Sequence, residues 1–555
     1  MAIQASNNLN VSPYIKIITM DTANVIQGVN GSTALNEAGC GKMVAFFTSL
    51  VRGLEDDYIK KSINDILGTS ASADTRVQLE DLVVMAYQTR DIRGGKGERD
   101  LFYTMMECLA PRIGDNDVLK KLFELVPTYG YWGDMWKLGT PVRKNNLIAE
   151  IAAAQIVADE AAVASAAGAS EANISLIAKW LPREKGKEQK AWVDAIRRVL
   201  NCSRKEYRKR VAALNKHLKT VEINMCAGTW ADIKASAVPG RNMFLHKKAF
   251  LNELLKKKGD MLRHPDDKDR MACRENFRAF FDKVATGQAK IHGGDVLMPH
   301  EVLHSLERTG RSTPEGQALE GQWRAVGEKF DGKLNKMICM ADFSGSMEGR
   351  PMDVSLALGL IIAERTAPAF RNKLITFDTT PALITFSETD TVWDKIAKCR
   401  AAPWGGSTNF EAAYELVLQT LCDNKVAPGD EPDDLLVLTD MGWDAATAGT
   451  AAGAGAFHLD KLKAKFKAAG DWKVPRIIIW NLASHFKQYQ ASETTPGVVM
   501  ISGWHPSILA RLIEGVKVTT PWDGMRWILD AERYAPIRAT LSRATQLKDS
   551  APNDK

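Results

Sequence analysis

The stretch "KMICMADFSGSMEGRPMDVSLALGLIIAERTA", residues 336–367, holds a short apolar run, then Asp342, Ser344 and Ser346 at alternate positions, then an amphipathic pattern opening at Pro351. The apolar run reads as a buried strand and the later pattern as a helix. An extended turn between them aims three alternate side chains one way, offering one carboxylate and two hydroxyls to a hard cation. A plainer reading makes Ser and Asp the caps of the helix that follows.

Working outward, residues 336–520 alternate β-rich runs with helical patterns. The runs are "KMICMADF", "NKLITFD", "ALITFS", "LLVLTD", "PRIIIWNLA" and "GVVMISG"; the helices include "NFEAAYELVLQTL" and "DKLKAKFKAA". Such alternation predicts a doubly wound, mainly parallel α/β sheet. Ligands of open α/β sheets bind beyond the carboxyl ends of the strands. Two further oxygen donors are expected there: Thr408 in the Gly-rich loop "WGGSTNFEAAYE" and Asp440 closing the strand "LLVLTD". "TAGTAAGAGA" reads as a surface loop.

Asp342, Ser344, Ser346, Thr408 and Asp440 together resemble the metal-ion-dependent adhesion site of von Willebrand factor A domains. The resemblance implies Mg²⁺, or another divalent cation such as Mn²⁺ or Ca²⁺, with an acidic side chain of a partner protein completing the ligand set. No motif places a base or nucleophile beside it, so binding rather than catalysis is expected.

Upstream, residues 36–330 carry apolar residues at helical spacing, as in "GKMVAFFTSLVRGLEDD", "LKKLFELV" and "NFRAFFDKVA", and predict an all-α domain. Residues 1–35 read as an N-terminal arm, residues 151–175 as an alanine-rich segment, either a helix or an insertion with a flexible tip, and residues 521–555 as a C-terminal helical extension and tail. At 555 residues the chain has room for two or three domains. No stretch approaches the roughly 20 uninterrupted apolar residues of a membrane span. The first residues, "MAIQASNNLNVSPYIK", show no secretion signal. The eight cysteines lack any C-x-x-C pair. A reduced protein of the cytoplasm, without membrane contact, is expected; association with a virion fits as well.

The net charge is +6, and the excess lies in the first part, with 49 basic and 41 acidic residues up to Asn335. Between Asn201 and Arg263 there are 15 basic and 5 acidic residues. Arg204, Lys205, Arg208, Lys209, Arg210, Lys216 and Lys219 form a basic helical pattern, followed by Arg241, Lys247, Lys248 and the lysines at 256–258. Such a surface attracts polyanions. Tyr207 and Trp230 are candidates for base stacking. The plainer reading is a solvated helical face.

"MPHEVLHSLERTG" formally contains H-E-x-x-H in His300, Glu301 and His304, the signature of a zinc peptidase. Pro299 would put both histidines at a helix start, against that reading. "NEAGCGKM" and "DIRGGKGERD" look faintly like phosphate loops, but neither meets G-x-x-x-x-G-K-[ST].

Four segments, "DIRGGKGERDLFY", "VPTYGYWGDMWKL", "KHLKTVEINMCAGTWADIKASAVPGRNMFLHKKAF" and "MISGWHPSILARLI", occur in an order that resembles an uncharacterised family of plants, bacteria and large viruses. That family joins a TROVE-like domain of HEAT-like helical repeats to a C-terminal von Willebrand A domain, with kinship to Ro ribonucleoproteins. The resemblance implies a ring of helical repeats that binds structured or misfolded RNA, hence a non-enzymatic ribonucleoprotein scaffold. A protein–protein assembly module without RNA, virion-associated or chaperone-like, is the competing expectation.

Overall fold

The computed structural model describes residues 24–27, 33–68, 72–166, 172–254, 261–293, 297–377, 380–402, 410–442, 459–514 and 519–549. It shows a mostly helical N-terminal region followed by a mixed sheet of six strands.

Of the expected arm, the described part is ordered against the rest. Strands β1 (Val25–Gln27) and β2 (Thr33–Leu35) pair antiparallel. Leu35 exchanges backbone hydrogen bonds of 2.8 and 3.0 Å with Tyr489, far along the chain. Ala34 and Leu35 are buried, so this end of the arm belongs to the core.

The helical region has two cores. One runs from Leu35 to Leu214, takes in residues 297–334, and continues without a break into the sheet. The second is separate: Ile233, Met243, Phe250, Phe277, Phe281 and Ile291 pack around Phe250 and Phe277, whose rings stack 4.4 Å apart. Within residues 36–330 the helices therefore form two packing units, one of them fused to the sheet.

Of the two readings of the alanine-rich stretch, its described part up to Ser165 takes the helical one. The helix Asn145–Ser165 buries Ile148, Ile151, Ala152 and Ile156, a helical spacing that sets one face against the helix Gly186–Val199. Alanine lets the two backbones approach closely. Residues 167–171 lie outside the described ones.

The sheet contains β3 (Met337–Ala341), β4 (Lys373–Thr376), β5 (Leu383–Thr385), β6 (Asp434–Thr439), β7 (Arg476–Asn481) and β8 (Val498–Ser502), in the order β5-β4-β3-β6-β7-β8. All neighbours are parallel except β4 and β5. Burial on both faces explains why β3, β6 and β8 read as near-continuous apolar runs. From β3 the chain works outward to β5, then returns to the other side of β3 with β6. The strand order thus reverses between β3 and β6, where an open α/β sheet forms its crevice.

The two last helices tie sheet to helices. Pro521–Leu529 lies against β8 and the helices Lys42–Ser49 and Ala73–Arg90; Ala535–Asp549 lies on Ala73–Arg90 and Asn116–Tyr129. Arg526 and Arg538 both pair with the buried Asp81, at 2.6 and 2.9 Å. Arg533 pairs with Asp91, which also accepts a 3.1 Å hydrogen bond from the Tyr534 hydroxyl.

Candidate cation site at the carboxyl edge of the sheet

Register builds the site. Ala341 of β3 lies opposite Leu438 of β6, so Asp342, the first residue past β3, stands beside Thr439, the last of β6, with Asp440 one position on. The Asp342 amide still donates to Leu438 O at 2.9 Å. Asp342 Oδ1 accepts from the Ser344 amide at 2.8 Å, and Oδ2 from the Thr439 hydroxyl at 3.2 Å. Asp440 Oδ1 accepts from the Gly442 amide at 2.8 Å. Asp440 Oδ2 is buried with no hydrogen-bond partner among the described residues.

Asp342 and Asp440 are 1% and 0% exposed, so two carboxyl groups share a dry corner. Burial, and then the charge of Asp440, push the Asp342 carboxyl up to about 7. At the rim, Ser344 Oγ and Ser346 Oγ are 3.1 Å apart. The loop they stand on ends at Gly349, whose φ of 93° suits glycine at the start of the helix Arg350–Ala363. Met441 holds a φ of 72°, which turns the chain sharply after Asp440.

Four of the five expected donors thus stand on the β3 and β6 loops, with both aspartates at the strand ends. Thr408 lies outside the described residues. Thr439 was missed: its hydroxyl orients Asp342, and its only sequence signal is its place before a strand-end aspartate.

The expected basic residues fall into two groups, paired and exposed. The helix Arg204–Leu218 forms, with Ser203 and Glu206 as a reciprocal cap. But Arg204 pairs with Asp194 at 2.7 Å, Arg208 with Glu184 at 2.9 Å, and Arg210 with Glu160 through two hydrogen bonds. Arg241 pairs with Glu301, and Lys247 and Lys248 both pair with Glu315 at 3.5 Å. Lys247 is moreover buried over the Phe244 ring. Lys205, Lys209, Lys216 and Lys219 remain exposed and form no ion pair among the described residues. The lysines at 256–258 lie outside the described residues.

Neither stacking candidate is available as expected. Tyr207 is buried and donates to Pro182 O at 3.3 Å; Trp230 has the Arg270 guanidinium 3.7 Å over its ring.

The H-E-x-x-H residues turn to three different neighbours. His300 is buried edge-on to Trp504, with ring centres 5.4 Å apart, Glu301 pairs with Arg241, and His304 Nδ1 meets Asp353 Oδ2 at 3.1 Å. The helix Pro299–Leu306 has proline at its start, as its sequence required. In the other glycine-rich pieces, Asn36 caps the helix Glu37–Cys40, and Lys96 is buried between the helical region and β8.

Residues 185–333 match a family model described as a domain of unknown function (DUF2828), and residues 336–534 match a second domain of unknown function (DUF7788). The chain is similar to an uncharacterised protein of Acanthamoeba polyphaga mimivirus, 29% identical over 541 residues, covering 94% of this chain and 87% of the relative. A crystal structure of the Ro (RSR) protein of Deinococcus radiodurans is similar with a TM-score of 0.37 and 13% identity, covering 81% of this chain and 94% of that chain. A likeness of that size decides neither fold nor function.

Proposed function

We propose that the corner between β3 and β6 is a divalent-cation site of the von Willebrand A type, and that the protein is a non-enzymatic scaffold using it to hold a partner's carboxylate. One observation carries this reading: two adjacent buried carboxylates, one with an oxygen lacking any partner among the described residues. Buried anions without a counter-charge are costly, and a bound cation removes that cost. The donors are all oxygen, which suits Mg²⁺, Mn²⁺ or Ca²⁺. Asp342 and Asp440 would hold the ion, with the Ser344 and Ser346 hydroxyls, and Thr408 as the donor the sequence pattern adds. So few charged ligands leave room for an acidic side chain of a partner.

Calorimetric titration of Mg²⁺ or Mn²⁺ into chelator-treated full-length protein tests it. One ion should bind, and Asp342→Asn and Asp440→Asn should each abolish binding. Undiminished affinity in both variants overturns the assignment.

A second reading, RNA binding by the helical region, has its own support. On the helix Arg204–Leu218, Lys205, Lys209 and Lys216 fall within about 40° of one another at 3.6 residues per turn, and Lys219 follows at its end. Such a stripe matches the phosphate backbone and gives salt-sensitive binding with little sequence preference. Filter binding across a salt series tests it; protein indifferent to RNA at low salt removes this half of the scaffold.

A further inference from the structure

His304 misses the peptidase arrangement, yet it has two other metal-ligating neighbours. It stands on the helix Pro299–Leu306, and Glu307 closes the same helix. Asp353 sits in the first turn of the helix Arg350–Ala363, just after the serine loop. A nitrogen of His304 and carboxylate oxygens of Glu307 and Asp353 all lie within 4.8 Å of one another. A cleft of about 480 Å³ opens on them, bordered by Gly345, Glu348 and Gly349 of the serine loop.

We propose that His304, Glu307 and Asp353 form a second metal site, for a transition ion of the zinc or cobalt class. The donor set is one imidazole nitrogen and two carboxylates, which favours these borderline ions over the oxygen-seeking Mg²⁺ and Ca²⁺. Zinc bonds of about 2.0 Å in a tetrahedron put neighbouring ligand atoms about 3.3 Å apart. His304 Nδ1 and Asp353 Oδ2 already stand 3.1 Å apart. The remaining coordination positions face the cleft, open to water or a partner's ligand.

Arg400 is the present counter-ion of the two carboxylates. Its Nε donates to Glu307 Oε1 at 2.9 Å and its Nη2 to Asp353 Oδ1 at 2.6 Å. His304 lies on the other oxygen of Asp353, which the guanidinium does not take. Metal and Arg400 therefore compete for the carboxylates. That competition separates a metal site from a mere ion-pair network joining the two halves: removing the guanidinium weakens a network, but strengthens a metal site.

The test is titration of Co²⁺ and Zn²⁺ into chelator-treated full-length protein, read by cobalt absorption and by the melting temperature. In the Asp342→Asn background, which isolates this site from the one proposed above, one ion should still bind. His304→Ala and Glu307→Gln in that background should each abolish it. Arg400→Gln should bind at least tenfold more tightly, with a melting temperature that metal restores. No Co²⁺ binding in the Asp342→Asn protein, binding unchanged by His304→Ala, or an Arg400→Gln protein with no gain in affinity would each overturn the proposal.

Discussion

Lys96 Nζ donates to Ser502 Oγ at 2.8 Å, so a loop of the helical region ends inside the carboxyl edge of the sheet. The same ammonium donates to Phe47 O at 2.7 Å and Leu50 O at 3.2 Å, at the carboxyl end of the helix Lys42–Ser49. Burial pulls its pKa well down, with Glu98 opposing, yet all three donors have acceptors and the helix end favours a cation. Lys96→Met leaves the single Ser502 hydroxyl proton shared between the Phe47 and Leu50 carbonyls, at 2.9 and 3.1 Å, in place of a full set of donors, an expected loss of about 3 kcal/mol. Amides of Lys42–Ser49 and β8 should then exchange about 100-fold faster in hydrogen–deuterium exchange.

Asp342 predicts a gain of stability on mutation. With its pKa near 7 in the fold and near 3.8 unfolded, the folded state holds the proton more tightly. Stability from this group therefore falls as pH rises from about 3.8 to 7, and the full penalty stays above 7. Metal-free Asp342→Asn protein at pH 8 should be more stable than the parent, by up to about 4 kcal/mol. Mg²⁺ at 100 times its Kd should stabilise the parent by about 2.7 kcal/mol and the variant not at all. Thermal melts with and without the ion check both signs.

Acid should open the seam near Lys96. Burial holds His300 and His505 at about 3, the positive charge of Arg52 adding to it for His300 and that of Lys329 for His505. Unfolded, each takes a proton near 6.5, so the stability they allow is complete above 6.5 and lost as pH falls toward 3. The loss is about 1.4 kcal/mol per pH unit for each histidine. His300 has no hydrogen-bond partner among the described residues, so His300→Phe should fold and halve the slope of melting temperature between pH 6 and 4.

The lysine stripe and the paired arginines should separate in mutagenesis. Reversing Lys205, Lys209 and Lys216 to Glu should weaken RNA binding and flatten the salt dependence by about two units of slope for a single strand. Arg210→Ala removes a paired side chain, so it should lower the melting temperature and leave RNA affinity unchanged. Fluorescence anisotropy at several salt concentrations distinguishes the two.

Much of the sheet was legible because buried strands carry no polar interruption: all six quoted apolar runs hold β3 to β8. Asp342 and Asp440 were legible for the same reason, as the first carboxylates after such runs. The fate of the basic residues was not. Glu160 lies 50 residues before Arg210, and Glu301 lies 60 after Arg241, so no local pattern announces those pairs. Lys96 was equally hidden, since its acceptors are backbone carbonyls and a serine 406 residues away. The alanine-rich stretch left helix and insertion open because its composition suits a loose insert, whereas the spacing of its larger apolar residues suits helix packing.

The pairing of Leu35 with Tyr489 and of Arg538 with Asp81 has a consequence for handling the protein. The halves are laced together at both flanks, independently of the turn at residues 329–336 that joins them in sequence. A protease nick in that turn should leave two fragments that migrate as one particle on a sizing column and separate only in denaturant.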